Sequence, residues 1–308
     1  MPLLAVGPFP PILAAVNRKE RRSAARGPAK GTTAPAASAR RASPLDARAL
    51  VAQAIQLHQM GRLAEAETLY RQAQALDPKE PDAVHFLGLI AHQRGEHEAA
   101  IELLKKAIAI DGRVASYHSN LGEAYRALGR LAEAIESHRK ALALRPDMAA
   151  ARFGLGTALL DLKDYAGAAK ELAALLEQEP SDADARLNLG IALLELGRGQ
   201  EAIAHFEQAL IAKPESADVL LNLGMALRIE GELRRAYEAL LRAVALAPDV
   251  GETHYQIGLT LAELERYEQA AHAFHEAARL DPAMANAELR LGDEIGRASC
   301  RERVCYVV

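Results

Sequence analysis

The chain of 308 residues carries 37 basic and 41 acidic side chains, a formal net charge of −4, and is half apolar although only 4% aromatic and free of tryptophan. Alanine and leucine supply that apolar content, which favours closely packed helices, and a mean hydropathy of −0.08 with no run of about eighteen apolar residues excludes a predicted membrane-spanning helix. Charge is unevenly placed: residues 17–46 have a net of +6, whereas residues 47–293 have a net of −11.

The opening stretch MPLLAVGPFPPILAAV is apolar, but its positive charge follows the apolar run instead of preceding it, and Pro2, Pro8, Pro10 and Pro11 break any helix. A secretory signal is therefore not favoured; Val16 fits a GTG start, with residues 1–15 as translated upstream DNA. Residues 16–46 are rich in Ala, Arg, Pro, Ser and Gly without apolar periodicity, and are expected to form a disordered basic leader. They lack aromatic side chains, so nucleic acid is not the expected partner.

From residue 47 the sequence comes into register with itself at a shift of 34 residues. Units begin at Ala47, Pro81, Ala115, Ala149, Ala183, Ala217 and Gly251, and a truncated eighth at Ala285. Position 8 of the unit is Gly88, Gly122, Gly156, Gly190, Gly224, Gly258 and Gly292, with Ala54 in the first unit. Position 20 is alanine in every complete unit (Ala66, Ala100, Ala134, Ala168, Ala202, Ala236, Ala270), and position 32 is proline except at Gly112. A helical glycine costs about 1 kcal/mol against alanine, so its recurrence at one register implies close helix approach. Proline at 32 ends a second helix, and Gly61, Gly95, Gly129, Gly197 and Gly231 supply a tight turn between the two.

The stretch NLGEAYRALGRLAEAIESHRKALALRP (120–146) shows these features together and resembles the tetratricopeptide repeat, as do its siblings over residues 47–292. The resemblance implies an all-α, right-handed α-solenoid of seven helix–turn–helix repeats plus the truncated eighth, with a concave inner face, each repeat touching only its neighbours. The usual first-helix tryptophan is missing throughout. The NRKERR opening of the leader also resembles that of many bacterial tetratricopeptide-repeat proteins.

Past Asp293 the pattern vanishes. EIGRASCRERV (294–304) back-translates, codon by codon, into a sequence that resembles a short-read sequencing-library adapter, so 294–308 is expected to be a non-native tail and the chain a fragment. Cys300 and Cys305 would then be foreign, which leaves no disulfide framework and fits a reducing cytoplasm.

No nucleophile with a neighbouring base and no catalytic residue is found, and no cofactor or metal is expected. His272 and His275 share a helix face without a third ligand. His92 and His97 flank a turn and are expected to face solvent. GLG at 154–156 follows no strand and is no phosphate loop.

Helical periodicity places positions 4, 7, 8 and 11 of each first helix on the buried stripe and 2, 6, 9 and 13 on the opposite, groove-facing side. The latter are Ser116, Asn120, Glu123 and Ala127 in unit three; Asp184, Asn188, Ile191 and Glu195 in unit five; Asp218, Asn222, Met225 and Ile229 in unit six; and Glu252, Gln256, Leu259 and Glu263 in unit seven. The candidate partner-binding residues are Asn120, Glu123, Asp184, Asn188, Asn222, Met225, Arg228 and Gln256. The position-6 amides resemble the asparagine ladder of O-linked N-acetylglucosamine transferase repeat arms, with Phe86 and Gly154 as gaps. The lysine-and-asparagine clamp that related repeats use for chaperone C-termini is absent, since position 5 is Val51, His85 or Ser119 and position 9 is Ile55, Leu89 or Glu123. The expected function is a non-catalytic cytoplasmic scaffold binding a protein or an extended peptide, neutral or basic, with no membrane insertion. The alternative is the substrate-recognition arm of a larger enzyme, a SPINDLY-like glycosyltransferase or a repeat-fused methyltransferase or sulfotransferase.

Overall fold

In the computed structural model, residues 46–281 are described, and all their regular elements are α-helices. The readings placed on residues 1–45 and 282–308 lie outside the described residues. Each repeat contributes a first helix over unit positions 1–13 and a second over positions 17–30. These are α1 (Ala47–Gln59) and α2 (Leu63–Leu76); α3 (Pro81–Gln93) and α4 (His97–Ile110); α5 (Ala115–Ala127) and α6 (Leu131–Leu144); and α7 (Ala149–Asp161) and α8 (Tyr165–Gln178). They continue as α9 (Ala183–Glu195) and α10 (Gly199–Ala212), α11 (Ala217–Ile229) and α12 (Leu233–Leu246), and α13 (Gly251–Glu263) and α14 (Tyr267–Leu280).

The turn between the helices is built by local chemistry. Gly61, Gly95, Gly129, Gly197 and Gly231 have φ of 70–81°, in the left-handed region. The residue after each such glycine sends its N–H back five residues to the first helix, as Arg62 does to the Leu57 carbonyl at 2.9 Å, which closes the helix end. Two turns take this shape without glycine, at Lys163 (φ 64°) and Glu265 (φ 62°). Arg62, Arg130 and Arg198 then pair with Glu65, Glu133 and Glu201 at the starts of second helices.

The described residues divide into two units, 46–162 and 163–281. In the first, α1 packs on α2, α3 on α4 and α5 on α6, and each second helix also packs on the first helix of the next repeat. Its core joins Leu50, Val51, Ala54, Tyr70 and Phe86, with the Tyr70 and Phe86 rings stacked at 5.2 Å. The Tyr117 hydroxyl donates to Asp82 across consecutive repeats at 2.5 Å. In the second unit, α9–α10, α11–α12 and α13–α14 pair in the same way. Leu220, Leu240, Tyr255, Leu261 and Phe274 form one apolar cluster there.

The invariant small residues sit where close packing needs them. All seven position-20 alanines are fully buried. The position-8 glycines Gly88, Gly122, Gly190, Gly224 and Gly258 lie under the side chain at position 24 of the same repeat. A Cβ on Gly88 would stand 3.1 Å from Leu104 Cγ, and one on Gly258 would stand 2.5 Å from Phe274 Cε1. The position-24 side chains Tyr70, Leu104, His138, Leu172, Phe206, Leu240 and Phe274 are themselves fully buried, so the glycine is the recess and the large side chain is what fills it.

The buried side of the first helices is wider than the stripe of positions 4, 7, 8 and 11. Positions 3 and 10 are buried too, as at Ala83 and Ile90 or Val219 and Ala226. The cause is that a first helix is covered by its own second helix, by the preceding second helix and by neighbouring first helices. Position 4, in turn, is used by polar side chains that cap the preceding repeat: His118 meets the Gly112 carbonyl, Arg186 the Pro180 carbonyl and His254 the Pro248 carbonyl.

Candidate functional site

In unit 46–162, the groove candidates are committed to internal bonds. Asn120 Nδ2 donates to His85 Nε2 of the preceding repeat at 2.8 Å. Glu123 takes Arg126 Nε at 3.2 Å and lies 3.4 Å from Nε2 of the fully buried His138. Arg126 reaches on to Asp161 of the next repeat at 3.3 Å. Burial pushes the Glu123 carboxyl up, but hydrogen bonding and charge from His138, reinforced by Arg126, outweigh it and hold the group down at about 2. Gly154 is explained by the same cluster: a Cβ there would stand 2.5 Å from Glu123 Oε1 and closer still to His138. The break in the amide row at Gly154 thus makes room for an ion pair.

Histidine is the other mark of this unit. His58, His85, His92, His118 and His138 are all buried. His58 meets Gln93 at 3.2 Å, and His92 Nδ1 lies 3.1 Å from His97 Nδ1. Desolvation pushes His58 and His92 down from the usual imidazole range, and pushes His85 down to about 3. The expectation that His92 faces solvent is corrected here: the residue is 6% exposed, because position 12 is turned toward the next repeat, which a place beside the turn does not reveal.

In unit 163–281 the first helices α9, α11 and α13 lie side by side, and their rows are regular. Position 2 is acidic throughout (Asp184, Asp218, Glu252), position 6 is an amide (Asn188, Asn222, Gln256), and position 9 is apolar (Ile191, Met225, Leu259). Asp184 binds Lys213 Nζ at 2.7 Å. Asp218 is half-buried, and its carboxyl is pushed up by that burial without a compensating cation. Asn222 Nδ2 donates to the Asp218 carbonyl at 2.8 Å and Gln256 Nε2 to Glu252 Oε1 at 2.8 Å. Asn222 Oδ1 and Gln256 Oε1 are left without a partner. Met225 is half-buried beside exposed Ile229 (58%), and Arg228 pairs with Glu263 of the next repeat at 2.6 Å.

The position-6 amides do not stand out into a groove as a single-helix wheel predicts. Asn188, Asn222 and Gln256 are 3%, 2% and 5% exposed, because neighbouring first helices close over the middle of the row. Accessible surface along the candidate stripe comes mainly from positions 2 and 13 and, in part, position 9. Sequence reasoning missed the links from position 12 to position 13 of the following repeat, seen in His58–Gln93, Arg126–Asp161 and Arg228–Glu263; the shared separation of 35 residues is their signal. His272 and His275 are exposed on α14, and among the described residues no group of three or more His, Cys, Asp or Glu side chains is arranged to hold a metal ion.

Three family profiles, each described as tetratricopeptide repeat, match the chain: one at residues 34–81, 119–183, 154–217 and 187–250, a second at 82–147 and a third at 251–284. No curated protein sequence matches it significantly. Among solved structures, the chain is similar to one from the APC/C hetero-tetramer Cut9–Hcn1, at a TM-score of 0.67 and 18% identity, covering 82% of this chain and 50% of that one. It therefore spans half the length of that relative. A tetratricopeptide repeat protein from Parabacteroides merdae matches at a TM-score of 0.60 and 18% identity, over 81% of this chain and 98% of that one. YrrB, described as having an unusual peptide-binding site, matches at a TM-score of 0.51 and 24% identity, over 61% of this chain and 96% of that one. With the 34-residue register, the buried alanines and the glycine recesses, these matches establish that the chain belongs to the tetratricopeptide-repeat family.

Proposed function

We propose that this chain is a non-catalytic recognition scaffold that binds a protein segment, neutral or basic and extended, along the first-helix face of repeats five to seven. The observation that carries the reading is the pair of orphaned amide oxygens, Asn222 Oδ1 and Gln256 Oε1, beside the uncompensated Asp218. A buried acceptor without a donor costs roughly 1–3 kcal/mol, and a partner's backbone N–H supplies the missing donor. Both oxygens are covered in the free protein, so engagement needs a side-chain rotation, which gives up the bonds of Asn222 Nδ2 to Asp218 and Gln256 Nε2 to Glu252 in exchange for those to the partner. The peptide-binding description of YrrB, a protein of the same fold, is in keeping with this use. Action in the cytoplasm belongs to the same reading.

The test is capture of peptides from a random-sequence library by the full chain, followed by Asn222→Ala and Gln256→Ala. Each substitution is expected to weaken the selected peptides by about 3–30-fold, the range for loss of one or two hydrogen bonds. Selected peptides that bind both variants as tightly as the original chain would show that recognition lies elsewhere.

A further inference from the structure

The rows of α9, α11 and α13 carry more than a general capacity to grip a backbone. Along each helix, positions 2, 6 and 9 are separated by about 6 Å and about 4.5 Å at the 1.5 Å rise of an α-helix. The amide row is therefore a lane bordered on one side by carboxylates and on the other by apolar side chains. A chain crossing the three helices, spaced roughly 8–10 Å apart, runs perpendicular to their axes and along this lane.

An extended chain has its backbone hydrogen-bonding groups in one plane and its side chains alternating to either side of it. When the amides take the backbone groups, successive side chains must point along the helix axes, alternately toward position 2 and toward position 9. On the position-2 side they meet Asp218, half-buried and without a cation, Glu252, which takes the Gln256 amide, and Asp184, which already holds Lys213. On the position-9 side they meet Met225 and Leu259, both half-buried, and then Ile229, one of the more exposed large apolar side chains of the unit.

The geometry points to a specificity: repeats five to seven recognise an extended segment in which basic and apolar residues alternate, basic side chains toward Asp218 and Glu252 and apolar ones toward Met225, Leu259 and Ile229. This rests on the peptide-binding reading above and adds a sidedness that the reading alone does not contain. The corresponding lane of unit 46–162 is not bordered in this way, because position 9 there is Ile55, Leu89, Glu123 and Thr157, and Glu123 is bound to Arg126 and His138.

Two fluorescent peptides of identical composition test it, one alternating lysine and leucine over about nine residues, the other carrying the same lysines and leucines in two blocks. Nine extended residues reach about 30 Å, enough for three helices. With the full chain at low salt, the alternating peptide is expected to bind about tenfold more tightly than the block isomer. Asp218→Asn, which preserves shape, should weaken the alternating peptide about 3–10-fold and flatten its salt dependence. Met225→Ala should weaken it with the salt dependence unchanged.

Equal affinity for the two isomers overturns the sidedness. If Asn222→Ala then weakens both isomers alike, the peptide-binding reading survives while this inference falls. If Asn222→Ala and Asp218→Asn, each with unchanged helical circular dichroism, leave both isomers bound as before, both fall.

Discussion

At the scale of single residues, the fold turns on a complementarity between a missing Cβ and a large side chain sixteen positions later. Where Phe206 presses on Gly190 and Phe274 on Gly258, an added methyl overlaps a ring edge held by packing on every side. Gly190→Ala and Gly258→Ala are therefore expected to destabilise their unit by about 1–3 kcal/mol, outweighing the roughly 1 kcal/mol that alanine gains in helix propensity. Gly88→Ala meets only Leu104 and Leu103 at 3.1–3.3 Å and should be close to neutral. Urea denaturation of the three variants checks the order, and an equal loss at all three would refute it. The turns give the reverse case. Glu265 and Lys163 hold a left-handed backbone that disfavours any residue with a Cβ by about 1 kcal/mol. Replacing either with glycine should raise stability by a few tenths to 1 kcal/mol, the relief of strain being partly offset because the unfolded chain also gains freedom. The glycines, alanines and prolines of the register were legible in the sequence because each performs its role within one repeat. The position-24 filler was not, because Tyr70, Leu104, His138 and Phe206 share no chemical class; only their volume is common.

At the scale of the helices, the single-helix wheel fails where a helix has several neighbours. It assigned position 6 to the open side, yet Asn222 and Gln256 are covered; likewise a place beside the turn suggested solvent for His92, although the next repeat buries it. A wheel sums direction within one helix and carries no term for the helix beside it. The same crowding gives unit 46–162 its histidine-rich interior and a pH dependence. His58, His85 and His92 have their folded-state pKa lowered by burial, so unfolding takes up protons once the pH falls below the ordinary imidazole value of about 6.5. Each such histidine costs up to about 1.4 kcal/mol per pH unit below that point, and for His85 the loss continues toward about 3. Glu123 acts in a lower window: its depressed pKa contributes stability above the ordinary carboxylate value, and this is lost as pH falls toward about 2. Unit 163–281 holds one described histidine with a lowered pKa, His205. Between pH 7 and 5, hydrogen exchange should therefore show α1–α5 losing protection before α9–α13, and His85→Gln should move that transition to lower pH. Simultaneous loss in both units, unmoved by His85→Gln, would contradict the assignment.

At the scale of the whole molecule, interactions are short in sequence. The side-chain hydrogen bonds that join repeats link residues no more than 35 apart, as in His254–Pro248 and Arg228–Glu263, so each repeat is held by its immediate neighbours. Stability in such an array is a sum of repeat terms and nearest-neighbour interface terms, and local damage stays local over a few repeats. Ala202→Leu is a sharp probe, because Ala202 is fully buried at the close crossing of α9 and α10 and overpacking there costs about 1–3 kcal/mol. Protection of amides in α9, α10 and α11 should fall, while that of α1 to α4, more than ninety residues earlier in the sequence, should stay at its original level. A uniform fall across residues 46–281 would instead mean that the array unfolds as one cooperative body, and the nearest-neighbour account would have to give way. The same locality bears on binding: Ala202→Leu should weaken a peptide held by α9, α11 and α13, and restoring the helices with an osmolyte such as sucrose, which favours burial, should restore that affinity.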